Sequence, residues 1–383
     1  MPSRIVRHVV WMGLLVLLYV PLACLAQSET QMTTEGLAAP TGDASQLHDE
    51  KKGKTSFVVL PIPQSNPALG TGLTIAGLAF YNPNQSERPW VTGVGLMKAG
   101  SSKALGVFQQ ATVMDNRLRL MGALVYADLD LKFYGVGADA GERGNSIPME
   151  QVGAGGMFQA LYKVADHWFV GARYQNLKLT STVDLSQLPL IGAVIPQADL
   201  KRRVASLGPA LEYDSRDDSF YPTSGTSAKV NLNFFGSRLG SDSDFRQLTA
   251  AWNRYWPYSN SLVLAARVSS CAVGGDVPFT NLCMYGMSND LRGYSTGQYR
   301  DRAMLAAQGE ARWRFAPRWG AVAFAGVGAI GPSFSDLLQQ KALSSIGAGV
   351  RWQASKEYKV NVSLDVAFTK KDHAVYLYVG EAF

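Results

Sequence analysis

Side chains able to do covalent or acid–base chemistry are sparse in this 383-residue chain. A serine nucleophile needs a neighbouring base, and histidine is the usual one near neutral pH. The four histidines are His8, His48, His167 and His373. His8 stands in a basic N-terminus, His48 in a polar lead, and the other two at turns or strand edges. No Ser/His/acid spacing accompanies them, so no enzyme is expected. A metal site needs clustered His, Cys or acid, and the sequence has none. No glycine loop leads from a strand into a helix to cradle phosphate, so no cofactor is expected. Cys271 and Cys283 are separated by a short loop; they form either a disulfide, the favoured reading in an oxidising compartment, or two unpaired small residues. A different chemistry is offered by Leu291-Arg292-Gly293-Tyr294, inside a long connection. If that guanidinium is buried it needs a carboxylate, because an unpaired buried charge is costly.

The elements that must position these residues are strands. From Ser56 onward, segments of about ten residues alternate apolar and polar side chains, with turn residues between them. Val360, Val362, Leu364, Val366 and Phe368 oppose Asn361, Ser363, Asp365 and Ala367. Val230, Leu232 and Phe234 oppose Lys229, Asn231 and Asn233. Ala311, Trp313 and Phe315 oppose Glu310, Arg312 and Arg314. Period 2 puts each set on one face of its strand. One face suits lipid and the other a wet lumen. Charged residues are 17% of the chain, against about 25% in soluble domains. No 20-residue apolar run follows the N-terminus, so helical spans are disfavoured. Both observations fit a transmembrane antiparallel β-barrel, all-β in class. Sixteen segments are predicted, and an even count places both ends on one side of the membrane. Short turns such as Asp115-Asn116, Ala165-Asp166, Pro317-Arg318 and Ser355-Lys356-Glu357 fall on that side. The longer connections, near 136–151, 182–202, 275–302 and 331–343, fall on the other.

Arg4, Arg7 and His8, then Val9 to Val20, then Cys24-Leu25-Ala26 read as a signal peptide over 1–26. A lipoprotein reading through Cys24 is one alternative, and a retained membrane anchor, short and interrupted by Pro21, is the other. Residues 27–55 are polar and read as a flexible periplasmic lead, and 56–383 as the barrel. The net charge of +6 comes without a polybasic stretch, so no nucleic-acid role is expected.

Three stretches carry a family resemblance. Asp214-Ser215-Arg216-Asp217 precedes a turn with Pro222 and Gly225, residues that fix or free φ. Leu291-Arg292-Gly293-Tyr294 lies between the eleventh and twelfth segments. The chain closes on Tyr376, Tyr378, Gly380 and Phe383. Together they resemble the barrel of the BamA/TamA surface-antigen superfamily. The resemblance implies an outer-membrane location in a Gram-negative bacterium. It implies a long loop between strands eleven and twelve that folds inward on its Arg-Gly-aromatic tip. It also implies a last strand read as an assembly signal by the barrel-assembly machinery. An acid on the strand after the loop meets the loop arginine, and Glu310 matches it, so an Arg292–Glu310 ion pair is expected. The family's next-strand aspartate has no counterpart in Val322 to Gly328. Either the loop is held more loosely or another lumen acid such as Asp365 substitutes. The lead is too short for a POTRA domain.

Two functions follow as expectations. One is membrane biogenesis, in which a weak junction between the first and last strands accepts an unfolded outer-membrane or secreted client. Pro61 and Pro63 in the first strand, and Gly380 in the last, suit a weak junction. The other is a pore or structural surface antigen. Arg267, Arg312, Arg314 and Arg351 would then give an anion-favouring lining, unless lumen acids pair them. Outer-membrane lipid is a partner in either case.

Overall fold

A computed structural model describes residues 55–66, 70–83, 90–184, 197–218, 220–286, 290–355 and 359–383. The expected signal peptide (1–26) and all but the last residue of the polar lead lie outside these residues, as does the Lys356-Glu357 part of one expected turn. Sixteen strands form one antiparallel sheet, each bonded to the next along the chain. They are β1 (Ser56–Asn66), β2 (Gly70–Tyr81), β3 (Trp90–Ala99), β4 (Ser102–Val113), β5 (Leu118–Phe133) and β6 (Ile147–Ala165). Then come β7 (Trp168–Asp184), β8 (Gln197–Asp214), β9 (Gly225–Phe235), β10 (Phe245–Pro257) and β11 (Leu262–Gly275). The minor strands β12 (Cys283–Met284) and β13 (Arg300–Asp301) pair only with each other. The sheet resumes with β14 (Ala303–Arg314), β15 (Trp319–Gly331), β16 (Leu343–Ser355), β17 (Val360–Phe368) and β18 (His373–Val379). β18 comes back beside β1, so the barrel is nearly closed. No hydrogen-bonded ladder joins those two strands among the described residues.

The alternation read from the sequence sorts the two faces. Apolar side chains cover the outside, as with Leu124 at 64% and Ile346 at 64% exposure. Polar ones lie within, including Asn231, Asn233, Gln308, Ser363 and Asp365. That reverses the arrangement of a soluble protein and is the pattern of a barrel whose outer face meets hydrocarbon. Trp168, Trp252, Trp256, Trp313, Trp319 and Trp352 all show on the outside. No helix among the described residues is long and apolar enough to cross a membrane.

The structure differs from the sequence expectations at three places. The connection expected over 182–202 is shorter, since β7 runs to Asp184 and β8 begins at Gln197. The connection expected over 136–151 holds a short helix, α1 (Ala138–Arg143), and β6 begins at Ile147. The last strand, expected to run to Phe383, stops at Val379. Gly380 has φ of 91°, a left-handed conformation that ends the strand.

A charge placed on the outer face tests this arrangement. Leu124→Arg in mid-β5 is expected to destabilise the barrel by about 2–4 kcal/mol. Urea unfolding of the protein in lipid vesicles measures the loss.

Candidate functional site

The polar groups converge in the lumen, around the segment that links β11 to β14. Two devices fix that segment to the wall. At its start, Cys283 is disulfide-bonded to Cys271 on β11. Further on, Leu291 and Arg292 are wholly buried. Two glycines of β15 make room for it. A Cβ on Gly326 would lie 2.7 Å from Leu291, and one on Gly328 would lie 2.6 Å from the Tyr285 hydroxyl.

Arg292 sits at the centre. Its Nη1 donates to Asp365 Oδ2 on β17 at 2.7 Å, and its Nη2 donates to Glu310 Oε1 on β14. Its guanidinium also lies over the Phe324 ring of β15, 3.5 Å from the centroid. So the Val322 to Gly328 stretch offers this cation a π face in place of an acid. Glu310 accepts from Arg312 Nε at 2.7 Å as well. Asp365 is shared with Arg351 and with the Tyr378 hydroxyl, the latter at 2.7 Å. Arg351 also donates to Glu381 at 2.8 Å. Three guanidiniums thus meet three carboxylates, and the buried charge is balanced inside the barrel. Tyr376 accepts the Gly293 amide at 2.7 Å, and Tyr294 donates to the Ser344 carbonyl at 3.0 Å.

The residues after Gly380 enter the same network. Asn361 donates to Glu381 at 2.7 Å, and Arg312 donates to the Phe383 carbonyl at 2.8 Å. The Phe383 ring lies 5.3 Å from the Arg312 guanidinium carbon. The aromatic tail is therefore folded inward and is no part of the wall.

The remaining motif residues occupy the connection between β8 and β9. Arg216 chelates Asp214, with Nε to Oδ1 at 2.9 Å. Asp217 Oδ1 accepts the amides of Thr223 and Ser224, which closes the turn around Pro222. Gly225 re-enters the sheet at φ of 96°. Asp218 accepts the amides of Phe220 and Tyr221 at 2.8 and 2.9 Å. That turn reaches the opposite side of the barrel. Phe220 packs edge-on against Phe80 of β2, 5.7 Å between centroids, in a cluster that includes Val91, Phe108 and Val360, with Val379 packed against it. Asp218 meets Lys359, before β17, at 3.3 Å, and Tyr221 lies under Arg314 of β14. One turn thereby touches strands on both flanks of the β1–β18 junction.

At the other end of the barrel, Glu142 of α1 gathers three connections. Lys341 and Lys371 each reach its carboxylate at 2.7 Å, and the Tyr299 hydroxyl donates at 3.2 Å. The two ammonium groups hold the Glu142 carboxyl down at about 2. Of the arginines expected to line a pore, Arg312 and Arg351 are paired as above. Arg267 donates to Asn253 at 2.8 Å and Arg314 to Gln353 at 3.3 Å. No cluster among the described residues could hold a metal ion.

Sequence reasoning brought Arg292 to Glu310. It offered Asp365 only as an alternative, and the structure uses both. It missed Glu381, the inward tail, the reach of Phe220 and the Glu142 hub. Parity was the available signal for Asp365, since an acid on the polar face of β17 must find a cation.

This geometry can be set beside known proteins. The Omp85 superfamily domain matches residues 69–375. The chain belongs to the Omp85 superfamily. Among solved structures it is similar to BamA from Haemophilus ducreyi lacking POTRA domains 1–3, at 14% identity and TM-score 0.53, over 86% of this chain and 70% of that one. It is also similar to CdiB from Escherichia coli, at 10% identity and TM-score 0.55, over 86% and 62%. CdiB from Acinetobacter baumannii gives 9% identity and TM-score 0.55, over 86% and 60%. The chain thus spans about three-fifths of the two CdiB structures. At such identities the likeness is one of fold. A comparison with curated protein sequences gives no match.

Two outcomes follow. Arg292→Ala leaves Glu310 and Asp365 short of a shared cation and is expected to cost about 3–5 kcal/mol. Arg292→Lys keeps the charge but lacks a fork for two carboxylates, and should recover only part of that loss; heat-dependent gel mobility of the folded barrel ranks the three proteins. The second outcome concerns pH. Glu142 has a folded value below its ordinary 4.5, so its contribution is complete above 4.5 and fades as pH falls toward about 2. The protection of α1 amides against hydrogen exchange, taken relative to the intrinsic rate at each pH, should therefore hold from neutral pH down to 4.5 and fall below it, whereas Glu142→Gln should remove that dependence.

Proposed function

We propose that this barrel resides in the outer membrane of a Gram-negative bacterium and acts in insertion or translocation of client proteins through its β1–β18 junction. The observation that carries this reading is the missing ladder between two adjacent strands. Unpaired strand edges are templates for another strand. Pro61 and Pro63 remove donors from β1, and β18 is the shortest strand of the sheet. The inward turn at Gly380 shortens β18 further and leaves more of β1 open to pairing. Membership of the Omp85 superfamily supports the same reading, as does the likeness to BamA and CdiB barrels.

The loop and tail serve this function as fixtures. The Arg292–Glu310 contact acts as a lock on the loop, and the Asp214 to Gly225 turn braces the junction from within. Tyr376, Tyr378, Gly380 and Phe383 make up the assembly signal, read by the barrel-assembly machinery before the tail folds inward. No catalytic group is needed for any of these steps. The pore reading has less support, because lumen arginines that would attract anions are already hydrogen-bonded.

The decisive experiment uses the purified barrel in liposomes and a urea-unfolded outer-membrane protein as client. Wild-type protein is expected to speed client insertion. Phe57→Cys with Val379→Cys, joined by a bis-maleimide, should abolish the acceleration, and mono-maleimide capping should not. No acceleration by the wild type, with a steady anion conductance in the same vesicles, would overturn the proposal in favour of a pore.

A further inference from the structure

The outside of β7, β8 and β10 carries four cations that form no ion pair among the described residues. Lys178 on β7 stands directly across from Arg203 on β8. Lys201 lies two residues further along β8, and Arg246 is the second residue of β10. All four are exposed. They share the parity of the lipid-facing residues on their own strands: Val170 and Tyr174 on β7, Leu207 and Leu211 on β8, Trp252 and Trp256 on β10. Their side chains therefore point sideways toward the bilayer and away from the lumen.

Like charges directly across a ladder repel, and among the described residues no carboxylate forms an ion pair with the Lys178 or Arg203 side chain. The acids of the nearby β9–β10 connection are turned to backbone amides. Asp242 Oδ2 accepts the Arg203 amide at 2.7 Å, and Asp244 Oδ1 accepts the Ser237 amide at 3.0 Å. The Arg203 guanidinium itself lies against Gly240, where a Cβ would be 3.2 Å from its Cζ. The wall over β3 to β5 is different. There Lys103 is paired with Asp128 at 3.2 Å, and Asp130 is bonded to Ser101.

Depth adds to the argument. Arg203 is four residues beyond the exposed Leu207, about 13 Å along the strand, at the barrel end away from the β17 start and the β8–β9 turn. That carries it from the apolar band to headgroup level. Arg246 shares a ladder row with Phe234 and Gly274, so its stem can lie on apolar surface while the charge rises.

We infer that this wall binds the phosphate groups of lipid headgroups in the outer leaflet. Guanidinium forks match phosphate oxygens, and ammonium groups add point charge. A lipid is the source because the cations face the membrane at its interface. The inference rests on the orientation expected from the sequence, with the lead in the periplasm and, by the even strand count, the β8–β9 turn on that same side. It does not depend on any insertase activity.

The test uses the full chain, folded in neutral detergent, titrated with diphosphoryl lipid A and with its dephosphorylated form, with bound lipid counted by native mass spectrometry. Wild-type protein is expected to hold the phosphorylated lipid and release the other. Each cation near an anionic surface is worth about fivefold in affinity. Lys178→Gln, Lys201→Gln, Arg203→Gln and Arg246→Gln together should weaken binding at least about tenfold. Arg117→Gln with Arg318→Gln, at the opposite rim, should leave it unchanged. Equal binding by the fourfold variant, or equal binding of the dephosphorylated lipid, overturns the inference. Displacement of the lipid by an equal concentration of inorganic phosphate would also overturn it, in favour of a soluble-anion site. Should the fourfold variant fail to fold, a sodium chloride series on wild-type protein decides. Binding must weaken as salt rises, and salt-independent binding refutes an electrostatic contact.

Discussion

A guanidinium enclosed by protein must be matched by negative charge, and Arg292 imposes that demand on the centre of this barrel. One carboxylate would neutralise it, yet two accept from it, on strands that are not neighbours. Glu310 belongs to β14 and Asp365 to β17. Each carboxylate in turn needs more donors than Arg292 has, which draws in Arg312, Arg351 and Tyr378. Glu381 completes the balance from beyond the last strand. Loop, wall and tail are thereby parts of one electrostatic unit. Removing any member strands a charge in the interior, which is far costlier than losing a surface pair.

The same demand explains why the tail leaves the wall. In a regular strand, residues 380 to 383 would extend beside β17 and β1. Instead Gly380 takes a backbone conformation that few other residues tolerate, and Glu381 swings to Arg351. The ladder gives up its last pairs, and the lumen gains a carboxylate. A loose junction and a well-filled interior are two results of that one turn.

How much of this could be read from residues alone depends on the range of each interaction. Strands were legible because alternation is local: the sequence from Val360 to Phe368 displays both faces of β17. Arg292 and Glu310 were legible through a family pattern. Asp365 was visible as a lumen acid, but its choice of partner depends on which strands close beside each other. The last strand was drawn too long because Tyr376 and Tyr378 continue the alternation up to Gly380, and nothing local distinguishes a bend there from a continued strand. Phe220 was hidden for another reason. Its partners Phe80 and Val360 are far away in sequence, and only barrel closure brings them together.

The disulfide between Cys271 and Cys283 has a mechanical consequence. It pins the near end of the inner segment to β11, while the far end is continuous with β14, the strand beside β11. Both roots therefore lie on one line along the wall. The Arg292 ion pairs, the Gly293–Tyr376 and Tyr294–Ser344 hydrogen bonds and the β12–β13 pairing hold the segment inward together. Its distance from the wall at the roots is set by a covalent tether, whatever becomes of those contacts.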